Sequence, residues 1–172
     1  MVRHHRPTLK TLLVLRHAKS SWKDTGLEDH ERPLNQRGER DAPGMGRLIR
    51  ERGLIPDAII SSDAVRARLT AAAVAKTAQY TREIRLEPRL YAASVDDILS
   101  VLRTVEGRNA KTVMIVGHNP GLEEMVALLT GEPHDFPTAA LAQISLPIDR
   151  WRDLSDSTRG KLLGLWRPKE LK

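Results

Sequence analysis

Short apolar runs, separated by polar and charged stretches, set the rhythm of this chain. Leu12, Leu13, Val14 and Leu15 follow one another without a polar break and end at Arg16 and His17. A run this short and continuous predicts a strand buried on both faces of a parallel sheet. A polar loop over 19–33 follows. Over 36–53, Met45, Leu48 and Ile49 share one face of a predicted helix, with Gly53 at its C-terminal end. Pro56 and Asp57 introduce a second strand, Ala58-Ile59-Ile60, which runs into Ser61, Ser62 and Asp63. These are N-capping residue types, and the alanine-rich segment 64–79 behind them predicts a helix.

The rhythm continues. Ile84-Arg85-Leu86 predicts a third strand, and 95–106 an amphipathic helix with Val95, Ile98, Leu99 and Leu102 on one side. Val113, Met114, Ile115 and Val116 form the clearest strand, which stops at Gly117-His118-Asn119-Pro120-Gly121 before a helix running through Leu129. Residues 139–146 and 161–166 predict two later strands. Strands alternating with helices imply crossover connections. The fold class expected is therefore α/β: a three-layer sandwich with a mostly parallel central sheet and helices on both faces.

Composition narrows this picture. At 172 residues, 40% of them hydrophobic, the chain has room for one core. The expected division is a basic tail over 1–10, a single α/β domain over 11–167 and a short C-terminal tail over 168–172, with 131–137 a loop inside the domain. No apolar run approaches the ~18 residues of a membrane helix, and the N-terminus lacks the apolar core of a secretory signal. A cytoplasmic protein with no membrane partner is expected. His4 and His5 read as part of a polar end rather than a metal pair. Cysteine is absent, which removes thiolate metal sites and cysteine nucleophiles.

The net charge of +6 first suggests a nucleic-acid partner. Its distribution argues otherwise, because residues 12–158 carry 20 basic and 21 acidic side chains and the excess lies at the two ends. The chain also has only 3 Trp, 2 Tyr and 1 Phe, too few for a base-stacking platform. No nucleic acid is expected, and the molecule is expected to be a monomer or weak oligomer.

Ligands of open α/β sheets bind outside the carboxyl ends of the strands. Three predicted strands end there in chemically capable residues: Arg16-His17, Ser61-Ser62 followed by Arg66, and Gly117-His118-Asn119. Two histidines beside two arginines disfavour a metal dication, which the guanidinium groups would repel. They favour an oxyanion, whose oxygens match guanidinium forks. Within such a pocket a neutral imidazole can attack phosphorus, and the cations can stabilise the equatorial oxygens.

These residues resemble a known family. Leu15-Arg16-His17-Ala18, then Ser62-Asp63-Ala64-Val65-Arg66-Ala67-Arg68-Leu69-Thr70, then Val116-Gly117-His118-Asn119-Pro120-Gly121 look like the three ordered motifs of the histidine phosphatase superfamily, which is phosphoglycerate mutase-like in fold. The Arg32-Pro33-Leu34 to Gly38 segment and the Asn-Pro-Gly ending are most similar to its SixA branch, named for a phosphohistidine phosphatase. The resemblance implies a hydrolase in which His17 is phosphorylated in turnover, Arg16 and Arg66 bind phosphate and His118 is the second pocket histidine. It also implies substrate contacts for Ser20 and Asn119, and no metal or organic cofactor. The family's glycine after the histidine is Ala18 here, tolerable where φ stays negative.

Larger relatives place a glutamate before an Arg-x-Tyr segment, where this chain has Pro88 before Arg89-Leu90-Tyr91. Glu87, Asp96 and Asp97 are the nearest acids, and solvated or helix-start roles suit them better. Without a general acid, the leaving group must be a weak base. A phosphorylated imidazole meets that condition better than an alkyl phosphate. The expected substrate is a protein phosphohistidine; the alternatives are a small phosphorylated molecule, hydrolysed by a broad phosphomonoesterase, or a non-catalytic phosphate- or nucleotide-binding module.

Overall fold

The computed structural model describes residues 8–171; Arg3, His4, His5 and Arg6 of the expected N-terminal tail, and Lys172, lie outside the described residues. Its strands are β1 (Lys10–Arg16), β2 (Ala58–Ser61), β3 (Ile84–Leu86), β4 (Thr112–Gly117), β5 (Leu141–Leu146) and β6 (Lys161–Trp166). Its helices are α1 (Gln36–Glu51), α2 (Val65–Ala78), α3 (Val95–Arg103) and α4 (Gly121–Thr130). All six strands join one sheet in the order β3-β2-β4-β1-β5-β6. None of the described helices is long and apolar enough to cross a membrane.

Alternation within the continuous apolar strands builds two cores, one on each face of the sheet. Leu12, Val14, Val113 and Ile115 point to one face, where Leu99 and Leu102 of α3 and Met125, Val126 and Leu129 of α4 cover them. Leu13, Leu15, Met114 and Val116 point to the other, against Met45 and Ile49 of α1 and Ala67, Ala71 and Val74 of α2. The expected three layers are therefore present.

The sheet is mixed. β1, β2, β3 and β4 are mutually parallel, but β5 runs antiparallel to β1 and β6 antiparallel to β5. The reason lies in residues 131–140. After α4 has run back towards the start of the sheet, this loop returns the chain to the carboxyl edge without forming a strand. β5 then has to descend, beginning with Leu141 opposite Leu15. On the way the loop lays the Phe136 carbonyl against Arg16, whose Nη1 donates to it at 3.2 Å.

Two local expectations are refined. The helix expected over 95–106 ends at Arg103, and Asp97 closes a capping box with Ser94 at its start. The caps foreseen for α2 serve other purposes: Ala64 is the N-cap residue and has no side chain to offer. Ser62 instead accepts the Ala64 N–H at 3.2 Å, and Asp63 pairs with His30 at 2.9 Å.

Where α1 and α2 cross, Gly46 lets the two backbones approach. A Cβ there would overlap the Thr77 hydroxyl and lie 2.5 Å from the Val74 carbonyl oxygen. Helix propensity alone would make Gly46→Ala stabilising by about 1 kcal/mol, but overpacking of ~1–3 kcal/mol opposes it. Net destabilisation is expected, measured as a lower midpoint in urea unfolding, whereas Gly44→Ala, with only the Arg47 side chain at 3.7 Å, should not lower it.

Candidate active site

The site begins at the centre of the sheet. β1 and β4 pair in parallel with Arg16 opposite Gly117, so the next residue of each strand leaves the same edge. These residues are His17 and His118, whose ring centroids are 5.0 Å apart. His17 N–H donates to the Gly117 carbonyl at 3.0 Å and its own carbonyl accepts from Ala139, also at 3.0 Å. On the far side of β4, Ser62 N–H bonds the Val116 carbonyl at 2.9 Å. That places the Ser62 hydroxyl 2.8 Å from His118 Nε2.

Both imidazoles are held neutral. His17 is 7% exposed, and its Nδ1 lies 2.8 Å from the Ala18 carbonyl oxygen. A carbonyl can only accept, so Nδ1 carries the proton and Nε2 keeps its lone pair. Burial, with the charges of Arg66, Arg16 and Arg32 acting in the same direction, pushes His17 down to about 4 despite its bond to Ala18. Burial first, then His17 and Arg66, push His118 down to about 3.

The cations converge from separate elements. Arg16 closes β1, and Arg66 stands in the first turn of α2, 6% exposed. Three buried polar side-chain atoms of the described residues have no hydrogen-bond partner: Arg16 Nε, Arg66 Nε and His118 Nδ1. All three belong to residues that the sequence nominates as oxyanion ligands. Arg16 Nε and Arg66 Nε are buried N–H donors without acceptors, which is costly, and a bound oxyanion would supply the acceptors. His118 Nδ1 joins them as a donor in the tautomer in which the Ser62 hydroxyl donates to Nε2. Among the described residues no three His, Asp or Glu side chains gather as a metal site.

Ala18 sits at 0% exposure outside the positive-φ residues, so its methyl group is accommodated. Its N–H donates to Thr70 Oγ1 at 3.0 Å, and that hydroxyl donates to the Arg66 carbonyl at 2.7 Å. Thr70 thereby ties the turn after β1 to α2. The Arg32 to Gly38 segment clamps the same turn. Asn35 N–H donates to the Lys19 carbonyl at 2.9 Å, and a Cβ on Gly38 would overlap that carbonyl.

Ser20 and Asn119 are near the site but already engaged. The Ser20 hydroxyl accepts from Arg32 Nη1 at 2.7 Å. The Asn119 amide donates to the Phe136 carbonyl at 2.8 Å while its oxygen accepts Glu123 N–H at 3.2 Å. Glu87 is bound by Arg89 and Arg85, which hold its carboxyl at about 2. Asp97 is spent on its capping box and Asp96 is exposed. None of the three acids lines the roughly 450 Å³ cavity formed by Asp29, Arg66, Tyr91, His118, Asn119 and Glu124 among others.

Sequence reasoning missed Asp29, His30 and Tyr91. The Tyr91 hydroxyl donates to Asp29 Oδ2 at 2.7 Å, and its ring meets His118 edge-on at 5.5 Å and His30 at 4.8 Å. Asp29 and His30 lie in a polar loop with no periodicity, so nothing in the sequence distinguished them from solvated neighbours.

The lowered histidine values make stability pH-dependent. An unfolded chain binds protons at both positions below about 6.5, while the folded protein resists until about 4 at His17 and about 3 at His118. Proton uptake by the unfolded state lowers stability as pH falls through that window. Calorimetry between pH 7 and 4.5 should show Tm falling, with a shallower slope in His17→Asn; an unchanged slope would contradict burial of the neutral ring.

Comparison with known proteins agrees with this geometry. A family model described as histidine phosphatase superfamily (branch 1) matches residues 12–98. An uncharacterised chloroplastic protein of Arabidopsis thaliana is 31% identical over 170 residues, 92% of this chain and 78% of its own. A structure assigned as phosphohistidine phosphatase SixA of Agrobacterium tumefaciens is 30% identical, with a TM-score of 0.78 over 92% of this chain and 98% of that one. A Nakamurella multipartitia structure with the same assignment is 26% identical, with a TM-score of 0.83 over 95% and 99%. With a paired-histidine strand edge, a matching family model and SixA-like architecture throughout, the chain belongs to the histidine phosphatase superfamily, as a phosphatase of the SixA type.

Proposed function

We propose that the enzyme hydrolyses protein phosphohistidine through a phosphorylated His17. The observation that carries this reading is the set of buried, unpartnered nitrogens, Arg16 Nε, Arg66 Nε and His118 Nδ1, beside an imidazole whose Nε2 lone pair is free. His17 Nε2 attacks phosphorus while the substrate's P–N bond breaks, and the departing imidazole takes a proton from solvent. Arg16, Arg66 and His118 hold the equatorial oxygens, where charge accumulates. Water then forms a P–O bond as the P–Nε2 bond breaks, releasing orthophosphate and restoring neutral His17.

Proton supply at the site limits the leaving group. Asp29 is held well below the usual carboxylate range by the Tyr91 hydroxyl and by Arg66 and Arg32. The Tyr91 proton is itself committed to Asp29, and burial adds to keep that hydroxyl above its ordinary value. Neither group gives up a proton readily at neutral pH. General acid help is worth roughly 10²–10⁴ in rate for a basic leaving group, and much less for imidazole. The two SixA assignments among the structural relatives support the same substrate class. Ser20 acts in this scheme through Arg32, and Asn119 through the Phe136 carbonyl that it shares with Arg16.

Rapid acid-free denaturation during turnover of a ³²P-labelled substrate should trap base-stable, acid-labile phosphate on His17. His17→Ala should lower kcat by about 10³-fold or more. Residual activity equal to the parent would leave only a phosphate-binding role for the site. A phosphohistidine protein and p-nitrophenyl phosphate should both be cleaved much faster than phosphoserine or a sugar phosphate. A preference for the unactivated esters would contradict the leaving-group argument.

A further inference from the structure

Asp29 is the most heavily engaged acid at the site. Its Oδ2 accepts from Arg66 Nη2 at 3.0 Å and from the Tyr91 hydroxyl at 2.7 Å. Its Oδ1 accepts from Arg32 Nε at 3.1 Å. Its backbone carbonyl accepts from Arg66 Nη1 at 2.7 Å. Both terminal nitrogens of Arg66 are therefore bound by a single residue. A two-point grip fixes a planar guanidinium in orientation as well as in place. The Nε edge is left over, buried and without a partner.

The turn that carries Asp29 (residues 29–31) is itself fastened to the start of α2. His30 Nε2 lies 2.9 Å from Asp63 Oδ1, three residues before Arg66. Arg32 continues the brace inward, with Nη1 on the Ser20 hydroxyl and its guanidinium carbon 3.5 Å from the centre of the Trp22 ring. Held from both ends, the Asp29 carboxylate has little freedom to leave the Arg66 fork.

We propose that Asp29 is the positioning residue of this site: it occupies the end of the Arg66 fork so that the Nε edge, with Arg16 Nε and His118 Nδ1, faces the transferring phosphoryl group. The proposal rests on the reading that these donors bind phosphate beside His17. Asp29 touches no reacting atom in this scheme and sets alignment through Arg66. Its negative charge has a second consequence, since it offsets the cations and weakens ground-state attraction for phosphate. Alignment and affinity should thus separate when Asp29 is changed. A freed Arg66 still attracts the anion, at least as strongly as before, but meets it in many orientations. A displacement of about 1 Å from productive geometry can cost on the order of 10²-fold in rate.

The test uses the full-length enzyme with p-nitrophenyl phosphate, comparing the parent with Asp29→Asn and Asp29→Ala. Three quantities are measured: the single-turnover rate of His17 phosphorylation, kcat against KM, and the inhibition constant of orthophosphate. In Asp29→Ala, kcat and the phosphorylation rate should fall roughly 10- to 100-fold, while KM and the phosphate inhibition constant stay level or fall. Asp29→Asn keeps an acceptor oxygen for the fork and should lose less. Orthophosphate inhibition at parental strength or better shows that the variants retain a folded site. A parental kcat in Asp29→Ala, or a loss confined to KM, would overturn the positioning role. A parent that turns over without labelling His17 would instead overturn the chemistry on which the proposal rests.

Discussion

The parallel pairing of β1 with β4 is the constraint on which the rest of the structure depends. Neither strand is next to the other in sequence, yet their register sets Arg16 opposite Gly117 and sends His17 and His118 off the same edge. Side chains one residue beyond a strand end are aimed by the strand, and a single-residue slip would turn them to the opposite face. The two cores resist such a slip. Leu12 and Val14 fill one face while Leu13 and Leu15 fill the other, so a shifted register would disturb both packings at once. Site geometry is in this sense a by-product of core packing.

Around that pair, burial and the nearby cations keep both imidazoles neutral, the state the proposed nucleophile needs. Three guanidinium groups act on His17 in the same direction as burial, and the carbonyl of Ala18 fixes which nitrogen keeps the proton. The same cations would attract a phosphoryl group, so the features that keep the imidazole unprotonated also prepare its target. Arg66 and Arg32 would repel each other if left uncompensated. Asp29 sits between them and absorbs that cost without entering the donor set of Arg16, Arg66 and His118. In the proposed scheme, an anion placed behind the cations, rather than among them, keeps the cradle open to phosphate.

The scaffold near the site is held by small contacts of specific shape. Gly38 allows α1 to press against the backbone of Lys19, and Thr70 joins Ala18 to the first turn of α2. The Phe136 carbonyl receives both Arg16 and Asn119. These contacts explain why the Arg32 to Gly38 segment, the threonine that closes the second motif and the loop after α4 accompany the two histidines. Each fixes a backbone segment that carries or flanks a candidate site residue, and preorganisation of this kind is what binding sites on strand ends require.

Much of this was legible without coordinates. The continuous apolar run 12–15 and its partner 113–116 specified strands buried on both faces, because only such strands dispense with polar alternation. The alternation of strands with helices then specified the layers. His17, Arg16 and His118 were legible because each stands at or just beyond a strand whose end is visible in the pattern, and Arg66 because it opens the helix that follows β2. Three matters were decided only by tertiary structure. The reversal of β5 depends on the path of residues 131–140, and no local pattern records the direction in which a loop returns the chain. The engagement of Ser20 and Asn119 depends on Arg32 and on the Phe136 carbonyl, partners 12 and 17 residues away. The place of Asp29 depends on Arg66, 37 residues further along. Periodicity records which face a side chain prefers, because that preference is local. Which acid meets which guanidinium is set by the distances left after the cores have packed, and a one-dimensional pattern does not contain those distances.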